Sequence, residues 1–194
     1  MASIPVTRLT EEQYLSLERS AETRSEFFQG EMFAMSSGTA NHARLAVTLS
    51  GALYARIRAS CEHFGADMRV RVAPSGLYTY PDLSIVCGEP RFLDATNDTL
   101  LNPAVIVEVL SPSTESYDRG KKFKLYREIP SLREYVLVAQ DAMSVEVFAK
   151  DEQGRWVLTE YSKPDEIFRL ASVDFAMPLA ELYARVEFPE PADP

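Results

Sequence analysis

At 194 residues with a formal net charge of −9, the chain has room for one well-buried domain and is short for two. Its hydrophobic fraction of 46% and charged fraction of 25% are ordinary for a globular protein, and no run of about 18 apolar residues exists to cross a membrane. The negative balance excludes a protein that coats nucleic acid non-specifically, because such coats set Lys and Arg against phosphate. A local basic groove stays open. Arg56, Arg58, Arg69 and Arg71 are its candidates, and ordinary solvated surface is their other reading.

Met1 to Pro5 lacks the basic and apolar regions of a signal peptide, so a cytoplasmic protein is expected. Cys61 and Cys87 have no metal-like spacing and read as two buried thiols in a reducing compartment.

Thr10 followed by Glu11, Glu12 and Gln13 is a capping-box start for a short helix to about Glu18. Glu26 to Gln29 and Glu31 to Met35 read as two strands around a turn at Gly30. Asn41 is placed to cap a long helix to about Cys61, its apolar positions Leu45, Leu49, Leu53 and Ile57 recurring every four residues. Asp67 to Ala73 alternates as a strand. Asp82 to Cys87 and Ala104 to Leu110 are nearly apolar throughout, as central strands covered on both faces are. Between them, Gly88 to Pro103 is a polar loop.

Ser116 to about Ile129 reads as a helix. Glu134 to Ala139, Ser144 to Ala149 and Arg155 to Tyr161 read as strands, and Pro178 opens a last helix over Leu179 to Val186. The Val136-Leu137-Val138 and Val145-Val147 strands are expected at an outer edge of the sheet, where a homodimer contact would form. The order predicts one α/β domain over 7–186 with a mixed sheet and flanking helices; 187–194 is expected to be a disordered tail.

Two carboxylates interrupt this apolar pattern. Asp82 follows Pro81 at the head of one core strand, and Glu108 sits inside another. A charge in such a run is an unpaired burial costing several kcal/mol or a functional ligand. Mg²⁺ takes oxygen ligands and keeps several waters, so Asp82, Glu108 and the backbone carbonyl of Val109 would suffice for a cation. The competing reading turns Glu108 toward solvent, although its neighbours Ile106, Val107 and Val109 leave no polar face.

Lys122 comes next. Counting from it, Leu125, Tyr126 and Ile129 fall at helical spacings, so Lys122 heads the stripe that faces the sheet, with Lys121 and Lys124 to either side. It would reach the metal and orient water or stabilise charge on phosphate; a snorkelling helix-end lysine is its other reading. Glu26 adds a further acid. His42 starts the long helix as a ligand or a cap. Asp118 is expected to pair with an arginine or cap its helix.

Four blocks of sequence then align in order: Glu26 to Glu31 with Met35 and His42; Tyr80-Pro81-Asp82-Leu83-Ser84; Val107 to Thr114; and Asp118 to Lys122 with Tyr126, Glu134 and Tyr135. Together they resemble the Uma-type putative restriction endonuclease family of the PD-(D/E)-x-K nuclease-like superfamily, over about Leu9 to Tyr183. The resemblance implies a restriction-endonuclease-like central mixed β-sheet flanked by α-helices, with an N-terminal hairpin and long helix. It also implies a Mg²⁺ or Mn²⁺ site at one end. By the motif, Asp82 and Glu108 are the metal ligands, Glu26 a supporting acid and His42 an active-site neighbour. The superfamily places its lysine two residues after the second acid, where this chain has Leu110; the Uma-type family carries it on the following helix, which matches Lys122. The function so implied is Mg²⁺-dependent hydrolysis of DNA phosphodiester bonds. The rival is a non-catalytic module that keeps the fold and binds nucleic acid or protein.

Overall fold

The computed structural model describes residues 8–35, 38–57 and 59–188. Helix α1 (Glu11–Glu18) begins at the expected capping box: the Thr10 side chain accepts from Gln13 N–H, and the Gln13 side chain accepts from Thr10 N–H. Strands β1 (Ser25–Phe28) and β2 (Glu31–Ala34) form an antiparallel hairpin. Its two turn residues, Gln29 and Gly30, both have positive φ, at 52° and 90°, as a tight hairpin with native twist requires.

Helix α2 (Ala40–Arg56) is capped by Thr39, two residues before the expected Asn41. Asn41 lies inside the first turn, and its amide donates to the carbonyls of Gln140 and Glu187. The helix also ends earlier than expected. Ile57 turns extended, and the chain re-enters as strand β3 (Cys61–Gly65).

Strands β4 (Arg69–Val72), β5 (Leu77–Thr79), β6 (Leu83–Cys87), β7 (Thr99–Leu100) and β8 (Val105–Leu110) follow. The segment expected to be one helix after β8 is built from α3 (Glu115–Tyr117), a π-helical turn (Asp118–Lys122) and α4 (Phe123–Tyr126). Then come β9 (Glu134–Ala139), β10 (Val145–Lys150) and β11 (Trp156–Tyr161). A hairpin of β12 (Ile167–Leu170) and β13 (Phe175–Pro178) lies in a stretch the sequence left unassigned, and α5 (Leu179–Leu182) closes the series.

The central sheet has six strands in the order β11-β10-β9-β8-β6-β3. Only β8 and β9 run parallel, which makes the sheet mixed. A second sheet, β2-β1-β5-β4-β7, lies beside it. Strand β8 explains the apolar run at the centre. Val105, Val107 and Val109 join the core that includes Leu45, Leu49 and Leu53 of α2. Ile106 and Leu110 join the opposite core with Phe123, Leu125 and Tyr126. Both faces are covered, so alternation disappears from the sequence. Glu108 has the parity of Ile106 and Leu110 and projects toward the helical segment 115–126.

Three expectations are corrected by these neighbours. Strands β9 and β10 are interior, with β11 and β3 at the edges, so the predicted outer edge is buried and its dimer argument lapses. Cys61 and Cys87 are not two free thiols: they face each other in the β3–β6 register and are joined as a disulfide. The arginines supply no basic groove, nor are they simply solvated. Arg69 is buried against Asp98, Tyr80 and Thr99, Arg71 pairs with Glu11, and Arg56 pairs with Glu181. Arg58 lies outside the described residues.

Candidate active site

One end of β8 gathers side chains from five elements. Leu83 pairs antiparallel with Val107, so Asp82, immediately before β6, arrives beside Glu108. The Val109 N–H donates to Asp82 Oδ2 at 2.7 Å. The His42 ring closes on the other oxygen, Nε2 to Oδ1 at 3.3 Å. That ring is set by the start of α2, where His42 N–H donates to the Thr39 cap. Gly38 packs so close beneath it that a Cβ there would stand 2.9 Å from Nδ1. The hydrogen bond to Asp82, reinforced by the Val109 carbonyl, raises the His42 pKa above the ordinary histidine value despite partial burial.

Lys122 occupies the middle of the cluster. Its ammonium lies 2.9 Å from Glu108 Oε1, 3.1 Å from Glu26 Oε1 and 3.5 Å from Asp118 Oδ1. The expected helical phase holds: Lys122, Leu125, Tyr126 and Ile129 are buried while Lys121 and Lys124 are exposed. Burial alone would lower the Lys122 pKa, but the three carboxylates outweigh it and push it well above the usual lysine value. Lys122 is therefore a fixed cation at neutral pH. Burial also raises the Glu108 carboxyl, to about 8, with the nearby ammonium opposing the shift.

Glu26 reaches this point through alternation in β1. Phe27 turns into a small core with Tyr14 and Tyr78, so Glu26 takes the opposite face. Thr79 of the neighbouring β5 donates its hydroxyl to Glu26, and Tyr126 OH donates to Glu108 Oε1 at 2.8 Å. A cleft of about 380 Å³ opens over these groups, lined by Glu26, Asp82, Glu108, Asp118, Lys122 and His42 among others.

The structure thus brings Asp82, Glu108, Lys122, Glu26 and His42 to one place, with the Val109 backbone between Asp82 and His42. Asp118 belongs there too. It is 3% exposed and neither caps the helix nor pairs with arginine; the adjacent Arg119 takes Glu115 and Glu146 instead. The signal for Asp118 was its position four residues before Lys122, on the same helical face. Thr79 and Tyr126 were also missed as partners of the acids. Among the described residues, no three His, Cys, Asp or Glu side chains cluster tightly enough to form a ready cation cage. The Tyr126 and Lys122 contacts of Glu108 both fall on Oε1, and Asp118 Oδ1 is buried with only the long Lys122 contact. These are hard oxygen donors of the kind Mg²⁺ accepts in ones and twos, the remaining positions being water.

The fold has a solved counterpart. The crystal structure of a putative nuclease belonging to DUF820 from Anabaena variabilis superposes with a TM-score of 0.74, covering 91% of this chain and 98% of that one at 16% identity. Two uncharacterized proteins of Synechocystis are close in sequence. One is 33% identical over 96% of this chain and 97% of its own length; the other is 41% identical over 78% and 86%. No helix among the described residues is long and apolar enough to cross a membrane. The family model whose description reads "Putative restriction endonuclease" matches residues 11–180, so the chain belongs to the Uma2 family.

Proposed function

We propose that the protein is a metal-dependent endonuclease that hydrolyses phosphodiester bonds in DNA. The observation that carries this reading is the buried ammonium of Lys122 held between Glu108 and Glu26 beside the Asp82–His42 pair, at the mouth of a cleft. Asp82, Glu108 and the Val109 carbonyl are the oxygens that would hold Mg²⁺ or Mn²⁺. When bound, such a cation supplies Lewis acidity toward the phosphoryl oxygens and lowers the pKa of water.

The chain's own groups do the rest. Lys122 keeps its proton, so it acts as a fixed positive charge for the developing oxyanion and not as the base that deprotonates water. Glu26 and Asp118 hold that ammonium from two sides. Tyr126 fixes the rotamer of Glu108 by donating to one oxygen, which leaves the other free for the cleft. His42, tethered to Asp82, stands at the side where a phosphate oxygen would approach and can donate a hydrogen bond to it.

Incubation with plasmid, linear and single-stranded DNA tests the reading. Cleavage is expected with Mg²⁺ or Mn²⁺ and not with EDTA, and Asp82→Ala or Glu108→Ala should lower the rate at least about a hundredfold. Absence of cleavage by the wild-type protein on every substrate, or equal cleavage by Asp82→Ala, refutes it. The lack of a ready three-donor cage favours one rival, a binding module that keeps the fold without the chemistry. Mn²⁺ titration separates the two, since only the nuclease requires Mn²⁺ binding that Glu108→Ala abolishes. A single folded unit over 7–186 completes the proposed setting.

A further inference from the structure

The wall of the cleft opposite the acids is apolar and open. In the β1–β2 ladder, Phe33 is the direct partner of Glu26. Partners across an antiparallel pair project to the same face with Cβ atoms about 4.5–5.5 Å apart. The aromatic ring therefore stands one strand away from a carboxylate that touches Lys122. Met35 lies two residues further on, on the same side. Both line the cleft, and both are exposed, Phe33 by 48% and Met35 by 38%. A single exposed phenylalanine is unremarkable on a protein surface. An aromatic and a methionine side by side at the lip of a charged cleft form a surface with a defined neighbour.

The electrostatics restrict what can lie there. Duplex DNA carries one charge per about 1.7 Å of axis, and proteins that grip it set rows of Lys and Arg along the phosphates. Among the described residues lining this cleft, the one Lys is Lys122, already neutralised by carboxylates, and there is no Arg. The arginines within three residues of Glu26, His42 and Lys122 already have acidic partners: Arg24 pairs with Asp67, Arg44 with Glu187, and Arg119 with Glu115 and Glu146. The cleft volume of about 380 Å³ is that of a small-molecule pocket, enough to receive one nucleotide unit. What this wall offers instead is an aromatic face, on which a base can stack only when it is not already stacked inside a duplex.

We propose that Phe33, with Met35 beside it, is the stacking surface for an unpaired base, so that the site takes single-stranded DNA in preference to intact duplex. The inference rests on the nuclease reading only for the bond that is cut; the base contact stands on its own geometry. It makes Phe33 a specificity-determining residue that touches substrate without taking part in the chemistry.

The test is a binding titration of the full-length protein with a short oligonucleotide carrying 2-aminopurine, single-stranded or annealed to its complement, in Ca²⁺. Binding of the single strand should be at least about tenfold tighter than binding of the duplex, with 2-aminopurine fluorescence quenched on stacking. Phe33→Ala should weaken single-strand binding about tenfold and relieve the quenching, whereas Phe33→Trp should preserve both. Phe33 is half exposed, and far-ultraviolet circular dichroism confirms that each variant is folded. Equal affinity for duplex and single strand, no binding of either, or binding indifferent to Phe33→Ala overturns the inference. The two readings fail separately. Mn²⁺ binding and cleavage with no Phe33 effect would leave the nuclease standing alone. Phe33-dependent strand binding without Mn²⁺ binding would leave the stacking site alone.

Discussion

Lys122 is the residue on which the site's balance turns. Its ammonium compensates Glu108, Glu26 and Asp118, all withdrawn from water, and burial would force those groups apart or neutral without it. Removing one partner of a buried ionic cluster typically costs about 3–5 kcal/mol, because the uncompensated charges stay behind. Lys122→Ala is therefore expected to lose stability on that scale in metal-free buffer at pH 7, measured by urea unfolding. Mg²⁺ should restore part of the loss in the variant, since a cation would then meet the same carboxylates. Gly38 makes a smaller point at this scale. A Cβ there would press on the His42 ring, so Gly38→Ala should shift the His42 ring resonances in an NMR spectrum.

Among the elements, α2 and the loop before β7 are anchored by different physics. Leu45, Leu49 and Leu53 of α2 are wholly buried against the central sheet. Leu49→Ala should cost about 2–5 kcal/mol in unfolding free energy, the range for a large-to-small change in a packed core. The loop is held by charge. Arg19 of the α1 C-cap reaches Asp94 and Asp98, and Asp98 also meets Arg69 of β4. The Arg19 hydrogen bond, aided by Thr99 and Arg69, lowers the Asp98 carboxyl from 3.8 to about 2. A depressed carboxyl binds its proton less readily in the folded chain than in the unfolded one. Its contribution is thus complete above about pH 4 and is lost as pH falls toward 2. Asp98→Asn should flatten the acid limb of the stability profile between those values, read from urea midpoints across pH.

At the scale of the whole molecule, the net charge of −9 and the acid-lined cleft make a cation the first ligand to expect, with nucleic acid held by few contacts. The disulfide joins edge strand β3 to β6 across a sequence separation of 26 residues. Closing a loop of that length in the unfolded chain corresponds to about 3.5 kcal/mol in the chain-entropy account. Reduction should lower the urea midpoint accordingly, and Cys61→Ser should show no further change with reductant.

The sequence by itself singled out most of the residues that the fold gathers at one cleft. Asp82 and Glu108 were legible because a charge at the head of or inside an apolar strand stands out from its neighbours, and Lys122 because helical phase separates it from Lys121 and Lys124. The capping box of α1 and the Gly30 hairpin were legible because they are local, made by residues within a few positions of each other. What only the tertiary structure decided was everything that depends on strand neighbours. The place of β9 and β10 inside the sheet, the pairing of Cys61 with Cys87 and the removal of Arg69 from the surface all follow from pairing across long sequence separations, which no local pattern encodes. Asp118 and Phe33 belong to the same class. A buried acid and an exposed aromatic look ordinary in the chain, and acquire their positions only when the π-helical turn and the β1–β2 register bring them to the same cleft.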